Sequence, residues 1–172
     1  MTTNNAAIDY INTHFEYPEL TKIHGKPDYE SLKTIKDELK TNAGSVTSSL
    51  AGGTSGHLGL VLTPTEMALV TAIPYVRPVQ PPALVLPTGP GVTNLQREIA
   101  RDLHTENVRL FKETVNVEKA LIKQLVKALP PIYTKSFRNP HSNSITDQLV
   151  TVLQTLFTTY GKVNDEEVKE AR

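Results

Sequence analysis

Apolar residues recur along this chain at the three-and-four spacing of helical faces, and the stretches between them are small, polar or proline-rich. Tyr29, Leu32, Ile35 and Leu39 mark the first clear face, with Asp28 placed to cap it, and predict a helix to about Leu39 or Thr41. Ahead of it, residues 1–27 show no sustained period, which predicts an irregular arm with a helical turn near Ile8–Phe15. From Asn42 to Gly59 glycine, serine and alanine dominate and predict a loop. Leu58-Gly-Leu-Val-Leu62 fits either a short buried strand or a lead into a helix. Thr63-Pro-Thr-Glu66 is a capping box with proline at the first helical position, and predicts a helix to about Ala72.

Six of the twelve prolines fall between Pro74 and Gly91. Fixed φ and missing donors exclude a regular helix or a central strand there, so the segment is predicted to be extended. Its apolar residues Val76, Val79, Leu84, Val85 and Leu86 predict an excursion pinned to the body. Thr93-Asn-Leu-Gln96 is a second capping box, opening a helical pattern that reaches Leu129. Leu95, Ile99, Leu103, Leu110, Phe111, Leu121, Leu125 and Leu129 carry its apolar face. The β-branched cluster at Thr114, Val115 and Val117 predicts either one helix with a perturbed middle or a break near Asn116. Pro130-Pro131 ends the pattern. After a helical turn at Tyr133–Phe137 and a turn at Asn139-Pro140, Ser144-Ile-Thr-Asp147 is expected to open the last full helix. That helix would bury Ile145, Leu149, Val152, Leu153, Leu156, Phe157 and Tyr160 and stop at Gly161 in left-handed geometry. A short acidic helix is expected from Asn164.

These elements predict a mainly α fold of about five or six helices, with a Gly/Ser-rich loop and a Pro-rich excursion over 74–91. The divisions are an arm over 1–27, a helical domain over 28–161 and the start of a C-terminal linker over 162–172. Its core is expected to include Leu121, Leu125, Leu149, Leu153, Leu156, Phe157 and Tyr160. Aromatic content of 6% with no Trp makes that core aliphatic. At 172 residues the chain is long enough for one medium domain.

Formal net charge is zero, yet the distribution is uneven. Residues 94–140 carry nine Lys/Arg against five Asp/Glu, an excess of 9 − 5 = +4, while 1–60 and 141–172 are each at −2. A polarised molecule of this kind can stack with its own copies. Cysteine is absent, which removes disulfides, thiolate metal sites and cysteine nucleophiles. No apolar run approaches the ~18 residues of a membrane span, the first residues do not read as a signal peptide, and no Asn-x-Ser/Thr sequon occurs. A cytoplasmic protein is expected.

Candidate chemistry is sparse. Gly52-Gly-Thr-Ser-Gly-His57 lacks the Gly-Lys-Ser/Thr of a phosphate-binding loop. It also fails as a nucleophile elbow, because His57 stands where the second glycine would have to be. Ser55 and His57 are sequence neighbours in a loop with no evident orienting acid. His14, His24, His57, His104 and His141 never pair at helical spacing, so no metal site and no cofactor is expected. Lys119, Lys123 and Lys127 form a ridge with Arg97 and Arg101 upstream, a candidate polyanion contact for RNA; a solvated helix face accounts for the same pattern. No catalytic residue is assigned and no enzyme is expected.

Several runs carry a resemblance. They are Leu20-Thr-Lys-Ile-His-Gly-Lys-Pro-Asp-Tyr-Glu-Ser-Leu32, Gly56-His-Leu-Gly-Leu-Val-Leu-Thr-Pro64, Glu118-Lys-Ala-Leu-Ile-Lys-Gln-Leu-Val126, and Asn143-Ser-Ile-Thr146 with Leu153-Gln-Thr-Leu-Phe-Thr-Thr-Tyr-Gly161. In order and spacing the chain from about Leu20 resembles the Gag-like capsid protein of copia-type LTR retrotransposons. The resemblance implies a retroviral-capsid-like N-terminal domain whose copies assemble into a virus-like particle shell around element RNA. It also implies a second helical domain and a CCHC zinc knuckle further on, and this sequence has no cysteine to build the knuckle. A fragment, a truncated copy or a co-opted remnant is therefore expected. The partners implied are other copies of the chain and element RNA. The alternative is a co-opted helical protein-interaction module that no longer assembles.

Overall fold

A computed structural model describes residues 9–162. It is mainly helical, with no strand among the described residues beyond one isolated antiparallel bridge between Arg138 and Ile145. Four α-helices follow a helical segment over 9–13: α1 (Tyr29–Ser45), α2 (Pro64–Met67), α3 (Asn94–Ala128) and α4 (Leu149–Tyr160). Short 3-10 turns occupy Leu50–Gly53, Leu58–Leu60, Pro131–Tyr133 and Lys135–Phe137. The acidic helix expected from Asn164 lies outside the described residues.

Asp28 caps α1 by accepting from the Ser31 amide at 2.8 Å, while the Ser31 hydroxyl accepts from the Asp28 amide at 2.9 Å. The helix runs to Ser45, past the predicted end, because its last turn is not idle. Ala43 is fully buried, and Asn42 finds partners for its side-chain amide inside the body. Leu58–Leu60 resolves to a 3-10 turn, neither strand nor helix lead-in.

The capping box at Thr63 forms, with Glu66 as its third-position partner. The helix it opens stops at Met67, short of the expected Ala72. Beyond it Leu69, Val70 and Ile73 are exposed, so no packing supports a longer helix against its nucleation cost. The 74–91 stretch holds neither helix nor strand, but most of its expected pins are corrected: Val76, Val79, Leu84 and Val85 face solvent, while Leu86 is half-buried. Tyr75 and Arg77 anchor the strap instead.

Thr93 caps α3 through Gln96, and the helix continues without a break through Asn116 for 35 residues, about 52 Å at the usual rise. Through the β-branched stretch, the Thr114 hydroxyl donates to the Leu110 carbonyl at 2.8 Å and Val117 is fully buried, so tertiary packing overrides propensity. Every buried residue of α3 lies at or beyond Thr114. Its N-terminal half is therefore carried on the surface.

The Ser144–Asp147 cap does not form. Ile145 is drawn into the bridge with Arg138, the Asn139 amide donates to the Ser144 carbonyl at 2.8 Å, and α4 starts only at Leu149 without a side-chain cap from its N-cap residue. Gly161 follows with φ −89°, outside the left-handed region. Glycine is needed there for another reason: an added Cβ would lie 2.6 Å from the Phe157 carbonyl oxygen.

The core is aliphatic, as its composition predicts. α1 contributes Leu32, Ile35 and Leu39; α3 contributes Val117, Leu121 and Leu125; α4 contributes Leu149, Val152, Leu153 and Leu156. Phe157 and Tyr160 are half-buried at its edge, where Phe157 meets Tyr29 edge-on and Tyr160 meets Tyr133. The segment before α1 belongs to the body too, since Phe15, Leu20 and Ile23 are buried in the same core.

Candidate functional site

Three polar clusters fix the irregular segments to α3. In the first, His57 is fully buried between the strap and the helix. Its Nε2 lies 2.8 Å from Glu113 Oε1 and its Nδ1 lies 2.9 Å from the Tyr75 hydroxyl. A carboxylate only accepts, so Nε2 carries the hydrogen and Nδ1 accepts from Tyr75. Burial holds the imidazole below its ordinary pKa against the opposing pull of Glu113, and burial likewise raises Tyr75. Arg109 continues the chain along α3, bonding Glu113 at 2.8 Å and Glu106 at 2.9 and 2.6 Å. Gly59 makes room for this arrangement, since a Cβ there would fall 2.1 Å from the Tyr75 ring.

In the second cluster, Arg77 reaches from the strap to both carboxylate oxygens of Glu118, one at 2.7 Å. Glu118 Oε2 also accepts from the Leu149 amide at 3.4 Å, so one α3 carboxylate holds the strap and supplies the cap that α4 lacks. In the third, Asn42 donates to Gln124 at 2.8 Å and exchanges bonds with the Tyr17 backbone, while Gln124 donates to the Tyr17 and Pro18 carbonyls. The sequence gives no signal for these pairings, whose partners are far apart along the chain. His57 was visible as a residue and Glu113 was not visible as its acid. Ser55 Oγ is buried without a hydrogen-bond partner among the described residues, and both ring nitrogens of His57 are engaged elsewhere.

The candidate polyanion residues spread along α3 without forming one patch. Arg101, Lys119, Lys123 and Lys127 are exposed and Arg97 is half-buried against Asn94. About 27 Å of helix separates Arg101 from Lys119, with exposed Lys112 between them. Lys22, from the segment before α1, joins Lys123 and Lys127 around a recess of 90 Å³. An apolar groove of 420 Å³ opens on another side, lined by Leu60, Leu62, Met67, Ile73, Tyr75 and Val150.

An exposed apolar stripe lies on α3 itself. Leu95, Ile99 and Leu103 stand at successive four-residue steps and are 64%, 57% and 61% exposed. Their line runs on into the stripe that Val117, Leu121 and Leu125 bury in the core.

Among the described residues no group of three or more acidic or histidine side chains is placed to hold a metal ion, and no helix is long and apolar enough to cross a membrane. No protein-family model, curated protein or solved structure matches the chain.

Proposed function

We propose that this chain is a structural, self-associating domain of the Gag capsid type, a component of a copia-type retrotransposon shell around element RNA in the cytoplasm. The observation that carries the reading is the N-terminal half of α3, an amphipathic helix whose apolar face none of the described residues covers. Assembly needs matching surfaces and no reactive group, and individually weak contacts gain strength by repetition in a shell. The buried polar side chains support it as well, since His57, Glu118, Asn42 and Gln124 are all committed to holding segments together. Catalysis is no part of the proposal.

The test is light scattering from micromolar to millimolar protein with and without single-stranded RNA, followed by negative-stain microscopy. Reversible growth into rings, tubes or shells is the expected result. A strict monomer under every condition refutes the reading. RNA contact would fall to the exposed Lys119, Lys123 and Lys127, and changing all three to Gln should lower RNA retention and flatten its salt dependence. Retention unchanged in that variant removes the RNA part of the proposal.

The apolar groove favours a second reading, a helical module that binds an apolar peptide without assembling. It predicts a monomer whose Met67 and Ile73 respond to a peptide partner, observable as side-chain methyl shifts in solution spectra.

A further inference from the structure

We draw no further inference here: the strongest candidate, the apolar groove of 420 Å³ between the Leu58–Leu60 turn, α2, the strap and the start of α4, already underlies the second reading above, its Arg77 is bonded to Glu118, and nothing in the structure shows what covers it.

Discussion

At the scale of single residues, His57 is the most consequential side chain in the fold. Its neutral form gives Nε2–H to Glu113 and accepts from Tyr75 at Nδ1, while protonation would place a charge in a fully buried site, which burial disfavours. The folded pKa is lowered from 6.5, so between the two values the unfolded chain binds the proton more readily than the folded one. Stability from this group is therefore fully present above about pH 6.5, declines as pH falls below it, and levels off beneath the folded pKa. Denaturant titrations from pH 5 to 8 should record that slope, and His57→Gln should flatten it while lowering stability overall. Gly59→Ala attacks the same cluster from the other side. Its new Cβ has no room beside the Tyr75 ring, so unfolding titrations should record a loss of about 1–3 kcal/mol. Residue-scale chemistry is also where sequence reading reached least. A histidine in a glycine-rich loop looks idle until the fold brings Glu113 to it. Gly161 was recognisable as necessary, but for a positive φ that it does not adopt.

At the scale of elements, the starts of α1, α2 and α3 were legible, as were the ends of α3 and α4 at Pro130 and Gly161, whereas the ends of α1 and α2 were not. The caps at Asp28, Thr63 and Thr93 depend on residues three apart, so local sequence contains the whole interaction. Where a helix stops depends on what packs against it. α1 outlasts its predicted end because Asn42 and Ala43 are buried, and α2 falls short because Leu69 and Val70 are not. α4 shows the same dependence at its start, where the local Ser144–Asp147 signal loses to a bridge at Ile145 and the cap comes from Glu118 on another helix. Glu118→Gln should thus loosen the strap and α4 together, with a loss of about 1–3 kcal/mol in thermal or chemical unfolding. Leu156, 1% exposed on the inner face of α4, should cost about 2–5 kcal/mol when changed to Ala, by the same measurement.

At the scale of the whole molecule, the body is closed around an aliphatic core, while the described residues leave the N-terminal half of α3 uncovered. Fully burying each large aliphatic side chain contributes roughly 1.5–3 kcal/mol, so Leu95, Ile99 and Leu103 represent a driving force the monomer does not use. The sequence revealed that apolar face but not its fate, because a core face and an interface face have the same period. The fold separates them, burying the stripe from Thr114 onward, half-burying it at Leu110 and Phe111, and exposing it at Leu95, Ile99 and Leu103. If the uncovered half is a contact between copies, its backbone should gain protection only when copies meet. Hydrogen–deuterium exchange at micromolar and millimolar protein tests this most directly. The account predicts that amides over 94–110 slow as concentration rises while those over 114–128 stay unchanged; identical exchange over 94–110 at both concentrations would contradict it.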